Sequence, residues 1–146
     1  MSDTEQTKPP GWFKVVNILM LLWNLTGLAM FVLMIAVFNN EQALLDAEYT
    51  KEQAALHLAT PGWVNVAFCV AVTFGTAGCL ALVMKKKLAI PLLGLSLVGV
   101  LAQNTYMYVL SDVVKVIGPG ASPIVILIAI GLMPWAMSAG KKGWLT

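Results

Sequence analysis

Charge is scarce in this sequence. Charged residues make up 11% of the 146 positions, against about 25% in an average soluble domain. Four long stretches, 15–38, 63–84, 88–110 and 123–139, contain none of the 9 basic and 7 acidic residues. A charged side chain at the centre of a bilayer costs about 2.5–3.5 kcal/mol, and about 20 apolar residues cross the hydrocarbon core. We therefore predict an all-α integral membrane protein, one domain over residues 1–146 that folds as a four-helix antiparallel transmembrane bundle, in preference to a soluble helical bundle.

The four stretches also lack the groups that catalysis and ion coupling require. They contain no Asp, Glu, His, Lys or Arg, so exchange of a solute for protons through a buried carboxylate is disfavoured. The sequence offers no Ser-His-Asp set, no phosphate-binding loop and no pair of carboxylates in a pocket. We expect no enzyme activity and no cofactor.

Cysteine and histidine are equally rare. Cys69 and Cys79 both lie in the second stretch, ten residues apart, which is about 15 Å along a helix and too far for a disulfide. The single histidine, His57, follows Glu48 and Glu52 in a loop; a solvated histidine is a better interpretation than a metal ligand. We expect no metal site.

Lysines set the predicted orientation. Seven of the nine fall on one side of the four stretches: Lys8, Lys14, Lys85, Lys86, Lys87, Lys141 and Lys142. The positive-inside rule then places both termini and the 85–87 turn in the cytoplasm and the acidic loop 39–62 outside. The polar N-terminus has no small-x-small cleavage site, so the first span is expected to remain in a multi-pass protein of a bacterial inner membrane. These lysines contact lipid phosphates in this interpretation, and nothing supports a nucleic-acid partner.

The first outer loop carries a helix signal. Thr50 is followed three positions later by Gln53, the spacing of a capping box. It predicts a short helix over 51–58, and the leucines around it favour a loop that covers the outer end of the bundle. The connection 111–122, with Gly118-Pro119-Gly120, is expected to be a compact turn. Pro134 predicts a kink in the fourth span.

Amides and aromatic rings are concentrated toward the outer ends of the second and third spans, and the first span adds Asn17 and Asn24. An amide buried without a partner costs several kcal/mol, so these groups need partners. Ordinary hydrogen bonds between helices, each worth about 0.6 kcal/mol, are one explanation, and a vestibule that binds a neutral, hydroxyl-rich ligand is the other. The residues assigned to that ligand site are Asn24, Asn65, Trp63, Gln103, Asn104 and Tyr106.

Small residues recur every four positions in the second span, at Ala67, Ala71, Gly75 and Cys79. Such a stripe allows another helix to approach closely. Together with the amide faces it predicts further helix–helix contacts and a homo-oligomer. Tryptophans at 12, 63 and 144 are expected at the membrane interfaces, whereas Trp23 and Trp135 lie within spans, where packing is favoured over a role as ligand walls.

Several motifs resemble those of a family of small bacterial four-span membrane proteins. They are Trp23-Asn24-Leu25-Thr26-Gly27, Thr60-Pro61-Gly62-Trp63, Gly78-Cys79, Leu95-Ser96-Leu97-Val98-Gly99-Val100 and Lys142-Gly143-Trp144-Leu145. The resemblance covers nearly the whole chain and implies the four-span fold. Some members are described as sugar transporters, but the family has no established activity that assigns residue roles. This chain departs from the pattern at His57, where an aromatic residue is usual, and at Gly75-Thr76, where a glycine pair is usual.

The leading hypothesis is therefore binding or passive movement of a small neutral polar solute such as a sugar. The rival is a non-transporting accessory subunit that packs against a larger membrane complex. A sensor that reads its ligand through the outer loop is less favoured, because the cytoplasmic side has only short tails.

Overall fold

A computed structural model describes residues 8–120 and 122–146. Within these ranges the chain forms helices and no strands. They are α1 (Gly11–Ala36), α2 (Glu41–Asp46), α3 (Lys51–Leu58), α4 (Gly62–Val83), α5 (Ala89–Thr105), α6 (Val113–Ile117) and α7 (Ser122–Lys141). Residues Tyr106–Leu110 extend α5 as a π-helical turn.

Four of the helices are long and apolar enough to cross a membrane: α1, α4, α5 with its π-helical extension, and α7. The predicted all-α, four-span fold is confirmed, and the chain is a multi-pass membrane protein. The observed ends differ from the predicted ones by a few residues, most of all at α1, which begins at Gly11. The sequence prediction excluded Lys14 because it is charged, but the helix starts directly after Pro10, whose backbone is extended.

The four long helices pack as a bundle. α1 packs on α4, α4 on α5, and α5 on α7. α4 and α5 approach closely at Gly99, where a Cβ atom would lie 2.6 Å from the Ala67 carbonyl oxygen and 2.8 Å from the Ala71 nitrogen. A glycine at such a position allows two helix backbones to come together.

One end of the bundle carries Lys14, Lys85–Lys87 and Lys141. It is called the lysine end below. The short turn there positions α5 against α4, with Lys85 in the left-handed region at φ 58°. Thr146 is hydrogen-bonded to this turn on both sides: its N–H donates to the Lys85 carbonyl at 2.7 Å, and its carbonyl accepts from the Lys87 N–H at 2.8 Å. Leu145 is consequently buried in the core.

The opposite end, called the loop end, holds α2, α3 and α6. Thr50 and Gln53 form the predicted capping box, and α3 spans the predicted residues 51–58. Leu44 and Ala54 are fully buried, so the loop is packed against the helices. Two elements were not predicted: α2, which is capped by the Asn40 side chain, and α6, which occupies part of the segment expected to be a compact turn.

Candidate functional site

A cavity of about 280 Å³, called the middle cavity below, lies between α1, α4, α5 and α7. Each of the four helices contributes side chains to its lining. Four of the lining residues have polar amide or hydroxyl side chains: Asn24, Thr26, Ser96 and Gln103. The rest of the lining is apolar or aromatic, and it includes Trp23, Gly27, Met30, Phe68, Ala71, Val72, Val100, Val125, Ile128, Ala129 and Leu132.

Asn24 and Ser96 converge on Gly75. The Asn24 Nδ2 group donates to the Met20 carbonyl at 2.9 Å and to the Cys79 sulfur at 3.3 Å. A Cβ atom on residue 75 would overlap Asn24 Oδ1 and lie 2.9 Å from Ser96 Oγ. The absence of a side chain at Gly75 therefore makes room for two polar groups from α1 and α5.

A second cavity, called the loop-end cavity, has a volume of about 290 Å³. Its walls come from the long helices and from the covering loop: Met30, Met34, Phe38, Tyr49, His57, Thr60, Val64, Asn65, Phe68, Gln103, Tyr106, Met107, Val113 and Ile117. Met30, Phe68 and Gln103 line both cavities. The two cavities are therefore neighbours, and these three side chains lie between them.

His57 is a titratable group of the loop-end cavity. Its side chain is half-buried, and its ring centroid lies 6.5 Å from that of Tyr49. Burial lowers the pKa of His57 below its ordinary value of 6.5, and a hydrogen bond to the Phe38 backbone opposes this only in part. The neutral imidazole is therefore favoured in the fold.

The lysine end contains an aromatic cluster formed by Trp12, Phe13, Trp135 and Trp144. Trp135 stacks on Phe13 with ring centroids 5.6 Å apart, and Trp144 lies edge-on to Phe13 at 5.0 Å. The Trp135 Nε1 group donates to Asn17 Oδ1 at 3.0 Å, which ties α7 to α1. Asn17 is fully buried, and its Nδ2 group has no partner within residues 8–120 and 122–146. The helices are therefore closed together at this end.

The six residues of the predicted ligand site do not lie together: four line one or both cavities, and two line neither. Gln103 lines both cavities, Asn24 lines the middle cavity, and Asn65 and Tyr106 line the loop-end cavity. Trp63 is 48% exposed and lies edge-on to Tyr106, with centroids 5.8 Å apart.

Asn104 lines neither cavity. It is buried, its Nδ2 group donates to the Val100 carbonyl at 2.7 Å, and its Oδ1 atom has no partner in the described ranges. One residue further along α5 than Gln103, its side chain is rotated by about 100°. It therefore belongs to the packing between helices.

The small-residue stripe is used inside the chain. Ala67, Ala71, Gly75 and Cys79 are all buried. Ala67 and Ala71 face Gly99 of α5, and Gly75 faces Asn24 and Ser96. The stripe therefore provides no free surface for a second copy, and it no longer supports a homo-oligomer.

The prediction omitted several lining residues. Ser96, Thr26 and Thr60 are polar, and Ser96 stands seven residues before Gln103 on the same helix face, so its spacing was a usable signal. The apolar lining residues Met30 and Phe68 carry no such signal, because an apolar residue that faces lipid looks the same in sequence as one that faces a cavity. Within the described ranges no three His, Cys, Asp or Glu side chains come together as a metal site would require.

Comparisons with models of protein families, with curated proteins and with solved structures found no match to this chain.

Proposed function

We propose that this protein binds a small uncharged solute with hydrogen-bonding groups and allows it to move through the helices. The observation that carries the proposal is the pair of neighbouring cavities that share the side chains of Met30, Phe68 and Gln103. In this proposal a solute that reaches the loop-end cavity moves past Gln103 into the middle cavity.

The lining supports an uncharged solute. Neither cavity is lined by a described Lys, Asp or Glu side chain, and His57 is the only described imidazole. Transfer of an unpaired charge into such surroundings is strongly unfavourable. Each volume, about 280 and 290 Å³, lies just below the range of about 300–1,000 Å³ typical of small-molecule sites. A neutral monosaccharide or polyol is the class that we propose, in agreement with the resemblance to four-span proteins described as sugar transporters.

Passage across the whole membrane requires a second opening. The aromatic cluster and the Trp135–Asn17 hydrogen bond hold α1 and α7 together at the lysine end. We propose that the solute enters from the loop end, past the covering loop, and that separation of α7 from α1 opens the lysine end.

Uptake by proteoliposomes tests the function. We expect vesicles with the wild-type protein to take up a labelled neutral monosaccharide faster than empty vesicles, and a Gln103→Leu variant to lose most of that difference. Thr105→Val is the matched control, because Thr105 is exposed, bonds only to the Leu101 carbonyl of its own helix, and lines neither cavity. Equal uptake by the wild type and the Gln103→Leu variant would count against the proposed function.

The proposed orientation has the loop end outside and the lysine end in the cytoplasm of a bacterial inner membrane. An impermeant maleimide should label a cysteine placed at Lys86 only after the cells are permeabilised, with the unsubstituted protein as the measure of labelling at Cys69 and Cys79. Labelling in intact cells would reverse the orientation.

The accessory-subunit hypothesis has one observation in its favour. Of the 26 residues of α1, only Phe13 and Asn17 are buried, whereas nine residues of α4 are buried. Most of α1 is therefore available to another helix, either of a second copy or of a larger complex. Native mass measurement in mild detergent separates these cases, since a stoichiometric foreign subunit would favour the accessory role over solute movement.

A further inference from the structure

We infer that the solute must present a hydrogen-bond donor, an O–H or N–H group, to three acceptor-only side chains in the middle cavity: Asn24, Ser96 and Thr26. This inference rests on the proposed function and specifies which face of the solute the site selects. It follows from the donors of these three groups, each of which is already engaged within the fold.

Asn24 has two amide hydrogens and two acceptors for them. One is the Met20 carbonyl and the other is the Cys79 sulfur. The reversed amide would place Oδ1 against the Met20 carbonyl oxygen, which is repulsive, so the Nδ2 group is fixed in this direction. Asn24 Oδ1 accepts no hydrogen bond within the described ranges and is not among the enclosed atoms that lack a partner. Since Asn24 lines the middle cavity, this oxygen is the acceptor that it can offer to a solute there.

The two hydroxyl groups are in the same state. Ser96 donates its only hydrogen to the Ala71 carbonyl at 2.6 Å, and Thr26 donates to the Leu22 carbonyl at 3.0 Å. What each hydroxyl has left for a solute is its oxygen lone pairs. Asn24 Oδ1 and Ser96 Oγ also lie close to each other, since both pack over Gly75.

The donors that remain in the middle cavity are the Gln103 amide and the Trp23 indole. Gln103 lines both cavities, and its amide both donates and accepts, so it can hold either kind of solute. Selection therefore falls to the three acceptors. A molecule that only accepts hydrogen bonds would cover them without satisfying them, and a site built in this way discriminates against such molecules.

A pair of isomers tests the inference. 1,4-Butanediol and 1,2-dimethoxyethane contain the same atoms, but the diol has two donors and the diether has none. Binding of each is measured by ligand-observed NMR with the full-length protein in lipid nanodiscs, and empty nanodiscs give the contribution of partition into lipid. We expect the diol to bind about 2- to 10-fold more tightly for each donor that is used.

Two variants locate the preference. Ser96→Ala and Thr26→Val each remove one acceptor at nearly constant shape, and each should reduce the diol-to-diether ratio. Thr105→Val should leave the ratio unchanged. Equal binding of the two isomers by the wild type would overturn the inference while leaving the proposed function intact, and an unchanged ratio in both acceptor variants would overturn it as well. If the protein bound neither isomer nor a monosaccharide, the proposed function would fail together with the inference.

Discussion

Replacement of Gly99 by alanine is expected to force α4 and α5 apart. The added Cβ atom would lie 2.6 Å from the Ala67 carbonyl oxygen, 2.8 Å from the Ala71 nitrogen and 3.1 Å from the Ala71 Cα atom. All three are backbone atoms, so no side-chain rotation relieves the contact. An ordinary contact distance requires a shift of several tenths of an ångström at the crossing.

The magnitude follows from comparison with a second glycine. Overpacking of a tight contact costs typically about 1–3 kcal/mol, and a helical Gly→Ala change gains up to about 1 kcal/mol from helix propensity. A Cβ atom at Gly131 of α7 would meet nothing within 4 Å. Gly131→Ala therefore keeps the propensity gain without the clash. Because that gain is common to both variants, the difference between them isolates the clash, at about 1–3 kcal/mol.

Thermal unfolding in detergent, followed by circular dichroism, measures this difference. For a chain of this size 1 kcal/mol corresponds to about 2–4 °C in Tm, so Gly99→Ala should unfold about 2–12 °C below Gly131→Ala. Identical midpoints would show that α4 and α5 do not cross at Gly99 as closely as described here, and would refute the packing argument.

Three further predictions concern the two ends of the bundle. Trp135→Phe removes the donor to buried Asn17 Oδ1 and should destabilise the protein by about 1–3 kcal/mol; thermal unfolding measures this, and an Asn17→Leu, Trp135→Phe double variant should recover part of it. Thr50→Ala removes the cap of α3 and should lower the local stability of that helix by about 1 kcal/mol, which faster amide exchange in α3 alone would reveal. Burial lowers the pKa of His57, so the unfolded chain takes up a proton on this histidine at a higher pH than the folded chain does. The neutral, buried His57 therefore contributes its full share of the folding stability above about pH 6.5, and this share is lost as the pH falls toward the folded-state pKa. His57→Gln should flatten the fall of Tm below pH 6.5, and a wild-type slope that persists in this variant would contradict the assignment.

The spans were predictable because the membrane imposes one strong rule, the exclusion of charge. The same rule misplaced the start of α1, since Lys14 lies inside the helix near its end, where a long side chain can reach water. α3 was predictable from the Thr50–Gln53 pair. α2 carries a similar signal, the Asn40 cap, whereas α6 has five residues and no side-chain cap, so local sequence gave little to recognise.

The candidate site was only partly predictable. Polar residues in apolar spans stand out, and Asn24 and Gln103 do line the middle cavity. Asn104 is an amide in an apolar span, as Gln103 is, but its side chain is packed between helices. The two residues are neighbours in sequence, and one step along a helix places a side chain on a different face. The small-residue stripe correctly indicates a close approach of helices, but sequence does not say whether the approaching helix belongs to the same chain, and here Gly99 and Asn24 occupy it.

The aromatic cluster at the lysine end has a practical use. It brings together Trp12, Trp135 and Trp144, three of the five tryptophans, with ring separations of 5.6 Å between the first two and 6.2 Å between the first and third. Indoles this close share their excited states, and their emission depends on how they are arranged. Any movement of α7 away from α1 would alter that emission, so the unlabelled protein contains its own optical reporter of whether this end is shut.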